Sequence, residues 1–113
     1  MADSPLILVV EDEFFLQADL ELALAAAGFA TDVAWSGEEA QRHDALVTDV
    51  KLAGELSGWE VARQIRERDP SFPVVYVTAY HQEWEANGAP NSVLIPKPFT
   101  SSKVVAAVSS LLP

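Results

Sequence analysis

The chain has 113 residues, half of them apolar, which is enough material for one domain with its own core. Seventeen acidic against seven basic residues give a net charge of −10, which argues against nucleic acid or an anionic membrane as a partner, since both need a basic face. The absence of cysteine excludes disulfides and thiolate metal sites, and no stretch reads as a signal peptide or a membrane span, so a cytoplasmic protein in a reducing compartment is expected.

Leu6-Ile7-Leu8-Val9-Val10 is a short run, apolar at every position, as a strand buried on both faces requires. It stops at three consecutive acids, Glu11-Asp12-Glu13. Acids suit a helix N-terminus, but that does not explain their crowding at the end of a buried strand. A helix follows, with Phe15, Leu16, Leu20, Ala23, Leu24 and Ala27 at helical spacing and Gly28 as its stop. Residues 29–35 form a weaker second strand. Ser36 and Glu39 make a capping box for a helix that reaches only to about Arg42.

The third strand, Ala45-Leu46-Val47-Thr48, ends in Asp49. After a loop, Ser57 caps a helix that turns Val61, Ala62 and Ile65 inward and ends at Asp69-Pro70. Val74-Val75-Tyr76-Val77-Thr78 is the fourth strand. Residues 79–91 leave room for a short helix around Gln82 to Ala86, and Ser92-Val93-Leu94-Ile95 is the fifth strand. Pro96-Lys97-Pro98-Phe99 turns the chain into a last helix capped by Thr100 or Ser101, with Val104, Val105, Val108, Leu111 and Leu112 on its buried side.

Five short apolar strands alternating with helices imply an α/β fold, a doubly wound parallel sheet with all strand C-termini at one edge. Open α/β sheets bind their ligands there. That edge receives Glu11 and Asp12 from the first strand, Asp49 from the third, Thr78 from the fourth and Lys97 after the fifth. Three carboxylates in one cleft repel and call for a cation, and hard oxygen donors of this kind suit magnesium. Asp49 then reads as a nucleophile that takes a phosphoryl group, with Lys97 and the Thr78 hydroxyl on the phosphoryl oxygens.

In this order the residues resemble the receiver domain of two-component response regulators, over essentially the whole chain (1–113) and in its single-domain form. The matching pieces are Val9-Val10-Glu11-Asp12-Glu13, Leu46-Val47-Thr48-Asp49, Ser57-Gly58-Trp59-Glu60, Val77-Thr78-Ala79 and Pro96-Lys97-Pro98-Phe99. The resemblance implies a flavodoxin-like sheet of order 2-1-3-4-5. It implies a phosphoryl group passed to Asp49 from a sensor histidine kinase or histidine phosphotransfer protein. It implies Mg2+ held by Asp12, Asp49 and the main-chain carbonyl of Lys51, with Glu11 helping. A cis Lys97–Pro98 bond also follows from it, and output is expected by binding a downstream protein target or by passing the phosphoryl group on. Such a protein is a signalling switch and not an enzyme, and with the chain ending at Pro113 a stand-alone one is expected, with no nucleic acid and no membrane partner.

Three departures from the family pattern stand out. The second and fourth helices are shortened, and Leu94 occupies a position, three before Lys97, where the family has an aromatic. Tyr80 is a candidate substitute, and Lys51 and Tyr80 lie where family members tune phosphoryl hydrolysis. The main rival is a protein-binding module that keeps the fold without being phosphorylated. A haloacid-dehalogenase-type hydrolase is disfavoured, because Glu13 and not an Asp follows Glu11 by two and no cap domain is present. His43 and His81 lack the paired spacing of a zinc site, and Trp59 is expected to be a lid or packing residue.

Overall fold

The structure, a computed structural model, describes residues 4–33, 43–52, 57–79 and 81–112. Five strands, β1 (Leu6–Val10), β2 (Ala30–Val33), β3 (Ala45–Thr48), β4 (Val74–Thr78) and β5 (Val93–Pro96), form one sheet of order β2-β1-β3-β4-β5. Every pairing is parallel. The helices among the described residues are α1 (Phe14–Ala26), α2 (Gly58–Arg68), α3 (Trp84–Asn87) and α4 (Ser101–Leu111). A three-residue 3-10 turn, His81–Glu83, leads into α3. The expected helix from Ser36 to Arg42, and with it the shortened second helix, lies outside the described residues, as does Tyr80.

β1, β3 and β4 alternate their side chains between two cores, which is why their sequences are mostly apolar, whereas the edge strand β2 carries Thr31 and Asp32 and is only partly covered. Ile7, Val9, Val47, Val75 and Val77 meet Leu20 and Leu24 of α1 and Val104 and Val108 of α4. Leu8, Val10, Leu46, Val74 and Tyr76 meet Trp59, Val61, Ala62 and Ile65 of α2, with Trp84 and Leu94 packed alongside. Helices therefore cover both faces of the sheet, and the doubly wound expectation holds. Trp59 is a packing residue, its ring 4.6 Å from that of Tyr76.

The helix ends follow local chemistry. Gly28, at φ 95°, closes α1 in a left-handed turn, with Gly28 N–H donating to Ala25 and Phe29 N–H to Leu24. Ser57 and Glu60 form a reciprocal capping box at the start of α2. The α1 expectation needs one correction: Phe15 does not face the core but is 81% exposed, and Ala27 is exposed too. Nearly every position of the helix is apolar, so spacing alone does not choose its buried stripe. The sheet chooses Leu20 and Leu24, one turn apart, and leaves Phe14, Phe15 and Leu22 in solvent.

Candidate functional site at the carboxyl edge of the sheet

Parallel pairing brings four strand ends to one edge. The backbone continues the sheet past the strands, with Asp49 N–H donating to the Val10 carbonyl and Lys97 N–H to the Thr78 carbonyl, both at 2.9 Å. Residues distant in sequence thus become neighbours for reasons of topology alone.

Glu11, Asp12 and Asp49 come together, each offering a carboxylate oxygen within 4.8 Å of the others. Glu11 and Asp49 are buried while Asp12 is exposed, so the cluster opens outward through Asp12. The Lys97 ammonium reaches in from the turn after β5, 2.8 Å from Asp49 Oδ2 and 3.3 Å from Glu11 Oε2. The Lys97–Pro98 peptide bond is cis, as expected. Thr78 closes β4 and is fully buried, and Lys51 lies two residues beyond Asp49 with its side chain exposed.

Local hydrogen bonds orient the acids. Glu11 Oε1 accepts from the Glu13 amide at 3.1 Å, which ties its carboxylate to the entry of α1. Asp49 Oδ1 accepts from the Val50 amide at 2.6 Å, leaving Oδ2 to Lys97. Burial pushes the Glu11 carboxyl above its ordinary range, and the Asp49 charge adds to that, against the Glu13 amide bond and Lys97. For Lys97 burial pulls the ammonium down, but the hydrogen bond and charge of Asp49 and the charge of Glu11 outweigh it, so the group stays charged beyond its ordinary 10.5. The edge is therefore an acid cluster into which the Lys97 ammonium is bound.

Magnesium holds oxygen ligands at roughly 2.0–2.1 Å, so opposite ligands stand about 4 Å apart. Three carboxylate oxygens within 4.8 Å of one another match that scale after a small contraction, and the hardness of the donors fits. No other cluster of three metal-capable side chains occurs among the described residues. His43 is buried and pairs with Asp32 at 3.2 Å, away from the acids on the chain and apart from their cluster.

Two residues that carry no signal in the sequence pattern shape the edge. The Thr48 hydroxyl, fully buried, donates to the Asp49 carbonyl at 2.8 Å. Gly58, the first residue of α2, backs directly onto that carbonyl oxygen, where a Cβ would overlap it. Leu94, in register with Tyr76, packs like Trp84 against the core that holds Trp59 and Tyr76, so aromatic bulk stands around the position rather than at it. Beside the edge a cavity of about 350 Å3 is lined by Glu13, Leu16, Lys97, Pro98 and Phe99.

Residues 7–109 match the family described as the response regulator receiver domain. The two-component response regulator PhoP of Pseudomonas aeruginosa is 34% identical over 118 residues, covering 94% of this chain and 51% of that protein. The chain thus spans about half the length of the curated relatives it matches. Among solved structures, a response regulator receiver protein from Sinorhizobium medicae superposes with a TM-score of 0.87 at 39% identity, covering 96% of this chain and 94% of that one. The response regulator TrrA of Thermotoga maritima, solved in complex with Mg2+ and BeF, superposes with a TM-score of 0.80 at 28% identity, covering 96% and 99%.

Proposed function

Because this chain belongs to the response regulator receiver domains, we propose that it switches by accepting a phosphoryl group on Asp49 from a phosphohistidine. The observation that carries the reading is the Lys97 ammonium 2.8 Å from Asp49 Oδ2 inside a cluster of three carboxylates. An Asp49 oxygen forms a bond to phosphorus, the bond from phosphorus to the donor's nitrogen breaks, and the electron pair leaves with the imidazole. Lys97 stabilises charge on the phosphoryl oxygens, and the Thr78 hydroxyl donates to one of them. Glu11, Asp12, Asp49 and the Lys51 carbonyl would hold Mg2+, which when bound supplies further positive charge to the transferring group.

The donor is a histidine kinase or histidine phosphotransfer protein, and output passes through a protein target. Support for a docking partner lies in Phe14 and Phe15, 69% and 81% exposed at the first turn of α1, next in sequence to the acids. Apolar side chains this exposed beside a reactive edge favour a protein partner.

Incubation with acetyl phosphate and magnesium followed by intact mass tests the reading. A phosphate adduct present in the wild type and lost in Asp49→Asn is the expected result. No adduct with any small donor would overturn it in favour of a protein-binding module that keeps the fold alone.

A further inference from the structure

The Asp49 main chain is held from three directions. Its N–H donates to the Val10 carbonyl at 2.9 Å. Its carbonyl accepts the Thr48 hydroxyl at 2.8 Å. The first residue of α2 closes over that same carbonyl, with Gly58 N–H donating to the Val50 carbonyl at 2.7 Å and no room for a Cβ on Gly58. The peptide between Asp49 and Val50 is thereby fixed in orientation. Its amide hydrogen points at Asp49 Oδ1, 2.6 Å from the Val50 nitrogen, which turns Oδ2 towards Lys97.

We propose that Thr48 and Gly58 are positioning residues for Asp49: they clamp the Asp49–Val50 peptide so that its amide captures one carboxylate oxygen and presents the other to the phosphoryl group. This rests on Asp49 being the phosphoacceptor. Neither residue is placed among the groups that bind the phosphoryl oxygens, so both act through Asp49. A buried β-strand accommodates valine at least as readily as threonine, so the hydroxyl at position 48 is not demanded by the strand. That hydroxyl bonds to the peptide that aims the acceptor. Gly58 makes room for the same arrangement: any side chain there would push α2 off the carbonyl or rotate the peptide.

The test compares the full chain with Thr48→Val and Thr48→Ser, following acetyl phosphate labelling by intact mass at saturating magnesium and across donor concentrations. Misplacement of a reacting group by about 1 Å can lower a rate by about a hundredfold, so the smaller rotation of the Asp49–Val50 peptide is expected to cost about tenfold. Thr48→Val is therefore expected to lower the maximal labelling rate by about that factor while leaving the donor concentration for half-maximal rate unchanged. Thr48→Ser, which restores the hydroxyl, is expected to label close to the wild-type rate. Gly58→Ala should slow labelling too, but it also disturbs the start of α2, so Thr48→Val carries the decision. A Thr48→Val protein that labels as fast as wild type would overturn the proposal, as would Thr48→Ser and Thr48→Val slowed alike. A wild type that takes no label sinks the phosphoacceptor reading and this inference together, whereas a labelled wild type with an unaffected variant sinks the clamp alone.

Discussion

Replacing Lys97 with methionine keeps most of the side chain's length and removes its charge, and so isolates what the cation does for the acid cluster. The ammonium is bonded to Asp49 Oδ2 at 2.8 Å and to Glu11 Oε2 at 3.3 Å. Without it two carboxylates face each other with side chains only 10% and 1% exposed. Breaking a fully buried ion pair costs about 3–5 kcal/mol. Lys97 is itself 22% exposed and the cluster opens through Asp12, so water reduces the cost to about 2–3 kcal/mol. For a chain of this size that lowers Tm by about 8–12 °C at neutral pH in a chelator. The pH dependence has a definite sign. Burial and Asp49 hold the Glu11 pKa above its ordinary 4.5, and loss of Lys97 raises it further. A raised folded-state pKa means that Glu11's favourable contribution is present below its unfolded value and is lost as pH rises through the folded one. The deficit of Lys97→Met should therefore shrink as pH falls from neutral towards the carboxylate range. Thermal unfolding of both proteins across that range is the assay. An unchanged Tm at neutral pH, or a deficit that grows on acidification, would refute the electrostatic account of the edge.

Magnesium at ten times its Kd should stabilise the wild type by about 1.4 kcal/mol, a rise in Tm of about 6 °C, and the rise should be lost in Asp12→Asn; differential scanning fluorimetry with and without chelator reads it. Gly88→Ala should destabilise by about 2–4 kcal/mol, because the new Cβ would sit 2.6 Å from Trp84 Nε1 and 2.7 Å from the Trp84 carbonyl oxygen and displace the indole from its bond to Ser92 Oγ. Urea unfolding gives the value, and a loss within experimental error would mean that α3 shifts freely. Ser57→Ala removes one half of the capping box and should cost about 1 kcal/mol in the same assay, with Ser57→Asp recovering most of it.

The parts of the fold that were legible are those where one physical rule dominates. A strand buried on both faces must be mostly apolar, so β1, β3 and β4 stand out of the sequence with their ends in place. An acid at the end of such a strand is conspicuous, and parallel pairing then assigns Glu11, Asp12 and Asp49 to one edge without any knowledge of side-chain geometry. Phe15 sits at helical spacing yet faces solvent, because α1 carries apolar residues around most of its surface and only the sheet's position decides which stripe is covered. The short α3 was legible as brevity but not as structure. Its shape comes from contacts that join separate turns: Trp84 Nε1 to Ser92 Oγ at 3.1 Å, Ser92 Oγ to the Ala89 carbonyl at 2.6 Å, and the Ala89 amide to the Tyr76 hydroxyl at 3.1 Å.

That chain of bonds also bears on the missing aromatic. Tyr76 lies in β4 two residues before Thr78, and its hydroxyl holds the segment that leads into β5, where Leu94 is its neighbour in register. A displacement of the Thr78 end of β4 would be felt by Tyr76 through the strand, and by Trp84 and Ser92 through hydrogen bonds. Leucine at position 94 removes a rotating ring, yet it leaves the surrounding aromatic groups tied to the same strand. The hydroxyl at position 48 follows the same logic: one polar atom on a buried strand, silent in any hydropathy pattern, acquires its meaning only from the peptide it reaches.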